Sequence, residues 1–436
     1  MKRSWIYRIP LRSTWPVALT WLATRGFVVW LLIDREHSVL GDVRYYADSL
    51  AAVNGHGLSQ TLVEYPVPGA LLVAFPYAVV DLLGHLSWYA TLVSALAILT
   101  DAAFLGMLVR ARFWGRHDHS WRGIMAAEWV WLLGVPALGA TTYARFDLVP
   151  GILVGVAVLY AAHRPGFAGV MAAIATSLKY WPAMVLPALA APRRSRMRVL
   201  TAIAGAGGLL AVASLVLGGW SRLFSPFTWQ GDRGLQIESI AGTPAMMAWA
   251  LFRRPWHTSD TSYNAWEVFG PGVHLLETVC QVGTIILALA LGRLWWQAWR
   301  HLDHPRDEQV VDAVTWLVLA AVTGFIVTSK VFSPQYLLWA LPAAAAGLAV
   351  VHDGQTWRRL AWWSGVLVLA MGMTQIFFPL WYTPLIHHIG WTIPYVALLA
   401  VRNLIVLGLC FFAFRESWRI LQSAHMSPEH TVPAPA

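Results

Sequence analysis

Apolar residues fall in long, nearly unbroken runs along this chain, and polar residues collect in the gaps between them. A helix that crosses a bilayer needs about 20 mostly apolar residues. The best candidates are Trp15–Ile33, Leu86–Val109, Gly123–Thr142, Leu148–His163, Val199–Gly218, Val273–Trp296, Val311–Ser329, Gln335–Val351, Leu360–Phe378 and Trp391–Phe414. A further run, Gly166 to Pro192, is interrupted at Lys179-Tyr-Trp-Pro182. It reads as one kinked span or as two short helices, and the proline argues for a break near Lys179.

The gaps are of two kinds. Short basic gaps lie at Met1–Thr14, Arg110–Arg122 and Arg193–Arg198, with thinner basic stretches after Arg293, Arg358 and Arg415. Cytoplasmic loops carry the excess of Lys and Arg, so both termini are expected in the cytoplasm. The gaps at 34–85 and 219–271 are longer and carry more acids, which makes them outer loops. Parity then allows one crossing between Ile33–Glu64 and Arg110–Arg122. Pro66–Leu83, with Pro66, Pro68 and Pro76, is expected to form short helices on the outer rim; an ordinary second span is the competing reading. The same parity requires the break at Lys179.

The expected organisation is a cytoplasmic N-terminus at 1–14 and a transmembrane region at 15–352. More transmembrane helices follow at 353–422, then a Pro- and Ala-rich, disordered cytoplasmic tail at 423–436. Basic Met1–Arg12 leads into a full-length span with no small-x-small cleavage site, the pattern of an uncleaved anchor.

Composition agrees with the pattern. Of 436 residues, 58% are hydrophobic and 12% charged, against about 25% charged in soluble domains. An all-α polytopic membrane protein of the cell membrane is implied, and a soluble enzyme is excluded. The net charge of +9 reads as an orientation signal, not a nucleic-acid footprint. Cys280 and Cys410 sit in apolar runs, so neither a disulfide framework nor a Cys/His zinc site is supported. There is no Walker A or HExxH motif, and Gly205–Gly208 fits helix packing, not a phosphate loop. No metal or cofactor is expected. Most of the 26 tryptophans fall where a membrane-interface belt would place them. Trp229 and Trp339 lie near the outer face, where they can stack on a sugar.

Five clusters can carry chemistry, each with an ordinary reading beside it. In Gly41-Asp-Val-Arg-Tyr45, Asp42 is placed to take a proton from an alcohol or to cap a helix; Glu64-Tyr65 follows. In Arg145-Phe-Asp147, Arg145 meets an anion or pairs with Asp147, which caps the next helix. Lys179 is costly among apolar residues unless it finds an anion, such as a phosphate, or snorkels to the interface. Arg233-Gly-Leu-Gln-Ile-Glu-Ser239 offers Arg233, Gln236 and Glu238 for polyol or phosphate recognition, and also suits a solvated loop. Ser329-Lys-Val-Phe-Ser-Pro-Gln-Tyr336 brings Lys330, Gln335 and Tyr336 to the same outer face, or forms a plain turn.

In this order the clusters resemble bacterial polyprenyl-phosphate-sugar-dependent glycosyltransferases of the GT-C fold. The nearest likeness is glycosyltransferase family 87, the actinobacterial α-mannosyltransferase-like membrane proteins. The resemblance spans roughly Arg25 to Trp339. It departs at Tyr65-Pro-Val-Pro68, where the family often has a second proline directly after Tyr-Pro.

The resemblance implies a bundle of about 10–12 transmembrane helices with rim helices in the first outer loop. It also implies a polyprenyl-phosphate sugar donor and a glycolipid or glycan acceptor. Asp42 would be the catalytic base. Lys179, Lys330, Arg233 and Arg145 would bind the donor phosphate. Tyr45, Glu64, Tyr65, Asp147, Gln236, Glu238, Gln335 and Tyr336 would contact substrate. Two other readings compete: a transporter or lipid flippase, using Arg25, Asp101, Glu128 and Glu277 in the apolar runs, and a non-catalytic assembly partner.

Overall fold

The computed structural model describes residues 11–111 and 121–426. The first half runs α1 (Leu11–Trp30), α2 (Gly41–Ala51), α3 (Val67–Leu82), α4 (Tyr89–Ala111), α5 (Trp121–Leu138), α6 (Leu148–Tyr160), α7 (Pro165–Leu178) and α8 (Arg196–Gly218). The second runs α9 (Trp220–Asp232), α10 (Thr243–Phe252), a hairpin of β1 (His257–Thr261) and β2 (Ala265–Phe269), then α11 (Val273–His301). It ends with α12 (Glu308–Thr328), α13 (Leu337–Val350), α14 (Gly354–Gln375) and α15 (Thr392–Met426). Among the described residues, seven helices are long and apolar enough to cross a membrane. The protein is a polytopic, all-α membrane protein whose described residues form one small antiparallel sheet.

Several elements differ from the expected ones. α6 and α13 are shorter than the spans read from the hydropathy pattern. At 1.5 Å per residue they are about 20 Å long, against roughly 30 Å of hydrocarbon. Both are almost wholly buried, so their apolar composition reflects packing against other helices. α3 is one 16-residue helix running through Pro76, not several short ones. Pro68 sits in its first turn, where a missing N–H costs nothing. α15 extends to Met426, so residues 423–426 are helical and not tail; 427–436 lie outside the described residues, as do 112–120 of the basic gap. The break at Lys179 is present: α7 ends at Leu178, and Lys179 adopts an extended backbone.

Close approach of backbones sets the functional end of the bundle. A Cβ on Gly151 would fall 2.5 Å from the Leu338 carbonyl oxygen, and one on Gly69 would fall 2.3 Å from that of Leu178. Small residues at such crossings let helices meet backbone to backbone. The first crossing sets Asp147 beside Trp339. The second brings Glu64-Tyr65 to Lys179.

The buried Arg25 finds a full set of partners. Arg25 forms a two-pronged ion pair with Asp101, through Nε–Oδ2 at 2.8 Å and Nη2–Oδ1 at 2.9 Å. Asp101 also accepts from Trp131 Nε1 at 2.6 Å and Tyr143 Oη at 2.7 Å. Such a satisfied network ties α1, α4 and α5 together. Glu277, although it falls in an apolar run, is partly exposed near the start of α11 and lies 3.0 Å from His274. Asp101→Ala leaves a buried guanidinium unpaired, a change that costs about 3–5 kcal/mol. Its thermal unfolding in detergent is expected well below that of the parent protein.

Candidate active site

α2 buries Val43, Tyr46 and Leu50 on one face. Asp42 and Tyr45, three residues apart, lie on the adjoining face. Asp42 is not the helix cap: α2 begins at Gly41, with Leu40 in the cap position. Its carboxylate pairs instead with Arg145, and its Oδ1 accepts from Asn264 Nδ2 at 3.2 Å. Arg145 therefore does not pair with Asp147. Burial lowers the Arg145 guanidinium to about 10, so it stays charged at neutral pH.

Asp147 occupies the cap position of α6 but makes no capping bond. Its Oδ1 accepts from Lys179 Nζ at 2.6 Å and Trp339 Nε1 at 2.7 Å. The Lys179 ammonium lies 5.2–5.9 Å from the ring centroids of Tyr65, Phe146, Tyr336 and Trp339. A carboxylate and four aromatic faces offset the cost of holding this lysine among apolar neighbours. Trp339 is buried at 1% exposure, so it supports Lys179 and is closed to a sugar.

The turn carrying Glu64 and Tyr65 is pinned from α9. Arg222 Nη2 donates to the carbonyls of Thr61 (2.8 Å) and Leu62 (2.6 Å), and Ser225 Oγ donates to that of Val63 (2.7 Å). Both Glu64 carboxylate oxygens are buried without a well-formed hydrogen bond. Burial raises its pKa, with Arg222 and Arg233 opposing. Tyr45, beside Glu64, is raised as well, chiefly by burial.

Arg233 is presented by a braced loop. Lys330 Nζ donates to the carbonyls of Gly231 (2.8 Å) and Arg233 (2.5 Å), and Glu267 accepts from the Gly234 amide at 3.1 Å. Lys330 thus serves the loop and does not line the cleft. Gln236 serves it too, accepting from the Phe332 amide at 2.7 Å.

These elements enclose one open cleft of about 650 Å³, mouth included. Asp42, Tyr45, Glu64, Tyr65, Lys179, Arg233, Gln335 and Tyr336 line it. Of the other residues read from the sequence, Arg145 and Asp147 stand behind the wall, and Gln236, Glu238 and Lys330 lie outside it. Trp229 is in the wall, edge-on to Tyr263 with ring centroids 5.0 Å apart. Tyr263 and Asn264 form the tip of the hairpin, which hydropathy did not anticipate. Asn264, at φ +53°, is the residue type that tolerates such a turn, and this was the one local signal for it. Among the described residues no group of three His, Cys, Asp or Glu is placed to hold a metal ion.

The cleft gathers carboxylates, cations and aromatic faces at one end of a membrane bundle, and the comparison with known families agrees. The model of glycosyltransferase family 87 matches residues 64–306, more than half of the chain. The chain belongs to glycosyltransferase family 87. No curated protein matches it. This family 87 protein is therefore a membrane glycosyltransferase, and the transporter and assembly-partner readings lose their ground. The match includes Glu64, Arg145, Lys179 and Arg233. Asp42, Gln335 and Tyr336 lie outside it and join the site through the fold.

Glu238 sits deeper, at 1% exposure, 3.4 Å from Arg402 Nη2. Burial pushes its carboxyl up to about 7 from 4.5. The folded state therefore holds a proton that the unfolded chain gives up above pH 4.5. Its stabilising share is complete below that pH and lost as pH rises through about 7. From about pH 4.5 to 7 the unfolding midpoint in detergent is expected to fall by roughly the one-proton linkage slope. Glu238→Gln flattens that dependence.

Proposed function

We propose that the enzyme transfers a sugar, mannose by the family resemblance, from a polyprenyl-monophosphate donor to a hydroxyl of a glycolipid or glycan acceptor. The reaction takes place at the extracytoplasmic face and inverts the anomeric centre. The observation that carries this reading is that Asp42 shares one cleft with Lys179 and Arg233.

In the proposed mechanism the acceptor hydroxyl displaces Asn264 from Asp42 Oδ1. Asp42 takes the hydroxyl proton as the oxygen attacks the anomeric carbon. The bond from that carbon to the phosphate oxygen breaks, and its electron pair leaves with polyprenyl phosphate. Lys179 and Arg233 face the charge that develops on the phosphate, where fixed cations act most strongly. Arg233 Nε is buried without a partner and is free to donate. Arg145 fixes the second oxygen of Asp42, leaving Oδ1 toward the acceptor. Gln335, whose Oε1 also lacks a partner, and Tyr336, Tyr45, Tyr65 and Glu64 contact the sugars, with Trp229 as a stacking face.

The test is to supply purified enzyme with polyprenyl-phosphate mannose, glucose or arabinofuranose and a membrane-lipid extract. Glycolipids that gain one sugar are then read by mass. A product from the mannose donor supports the full reading. A product from another of the donors keeps the donor class and corrects the sugar. No product from any of them removes the proposal.

A further inference from the structure

We propose that a cleft between the C-terminal ends of α11 and α15 binds the phosphate of an anionic phospholipid, at the end of the bundle opposite the glycosyl-transfer cleft. The hairpin tip lining the transfer cleft is followed closely by the start of α11 at Val273. The 29 residues of α11 then rise about 43 Å. The second cleft thus lies about one bilayer thickness away.

It is roomy, about 1410 Å³ with its open mouth, and no Asp or Glu lines it. Its charged wall is Arg293 and Arg300 from α11 and Arg419 from α15, with His301 at the edge. Arg419 is already neutralised by Glu416 at 2.8 Å. Arg293 and Arg300 have no carboxylate within ion-pair distance among the described residues. Each lies against an aromatic ring instead: Arg293 is 4.9 Å from the Trp418 centroid, and Arg300 is 5.8 Å from that of Trp296. A guanidinium braced this way keeps its N–H groups for a phosphate.

Two further observations favour a lipid as the source of that phosphate. Gln297 Oε1 is buried in the wall without a partner and would accept from a headgroup hydroxyl. Toward the middle of the bundle, both helices carry exposed apolar side chains: Leu289 and Ile286 on α11, Phe411 and Leu407 on α15. Acyl chains could lie along them while the phosphate stays at the arginines. Trp296, 65% exposed, has the amphipathic character of an interface anchor. Basic clusters at a helix end attract anionic lipid generally; here concavity, aromatic bracing and the orphan amide add shape to charge.

The experiment is native mass spectrometry of the delipidated full chain with phosphatidylglycerol or phosphatidylcholine of identical acyl chains. At least one phosphatidylglycerol is expected to bind about tenfold more tightly than phosphatidylcholine. R293Q/R300Q should erase that preference, whereas R194Q/R198Q, at a separate basic cleft, should keep it. Millimolar glycerol 3-phosphate should not displace the lipid. Equal retention of both lipids, or preference surviving in R293Q/R300Q, would overturn the proposal. Displacement by glycerol 3-phosphate would do the same, by making this a site for soluble anions. Both arginines lie on the helix surface, far from the transfer cleft. Retained sugar transfer by R293Q/R300Q shows that the variant is folded.

Discussion

Asp42→Asn is expected to reduce sugar transfer by about 10²–10⁴-fold, the usual worth of a general base, while the protein stays folded. Asparagine keeps the shape, and its side-chain oxygen still accepts from Asn264. It loses the ion pair with Arg145 and the capacity to take a proton. In the proposed mechanism the donor phosphate is held elsewhere, by Lys179 and Arg233, so donor affinity should change little. Single-turnover assays and donor-binding titrations on the same preparation separate the two effects. Near-parental turnover would remove Asp42 from the chemistry. Equal loss of donor affinity and turnover would make it a binding group.

The second large effect concerns Lys179. Lys179→Met removes a cation from the transfer cleft and leaves Asp147, 2% exposed, without its charge partner. Breaking a buried pair on one side costs about 3–5 kcal/mol. Losing a fixed charge aimed at a developing anion costs about 10²–10³ in turnover. The two losses can be separated. In Lys179→Met/Asp147→Asn the buried charge is gone from both sides, while an asparagine oxygen can still accept from Trp339. The double variant is expected to recover most of the unfolding midpoint and none of the transfer. Recovery of transfer along with stability would mean that Lys179 serves only the fold.

How much of this was legible in the sequence differs from residue to residue. The long spans are legible because apolar runs of that length have few other uses. Lys179 stands out because a charge beside a proline inside such a run demands both a break and a partner. α6 and α13 mislead for the same reason: a short helix buried among other helices is as apolar as one that faces lipid. Local spacing also suggested that Arg145 pairs with Asp147, two residues on. The packing of α2 against α3 and α4 decides otherwise, and gives Arg145 to Asp42. Lys330 offered a cation at the outer end of a span, but its ammonium is drawn to the carbonyls of Gly231 and Arg233. The hairpin was hidden because its strands, five residues each, are too short and too mixed in polarity to register against the surrounding apolar runs. Asn264 could therefore be tied to Asp42 only by the fold.

The most direct test of the central claim is a structure of the Asp42→Asn protein with intact polyprenyl-phosphate mannose. The account predicts the phosphorus within about 4 Å of the Lys179 ammonium and the Arg233 guanidinium, as charge-assisted hydrogen bonds require. It places the anomeric carbon on the side of residue 42, with Asn264 at the rim. A donor phosphate seated away from both cations, or a sugar turned away from residue 42, would contradict it.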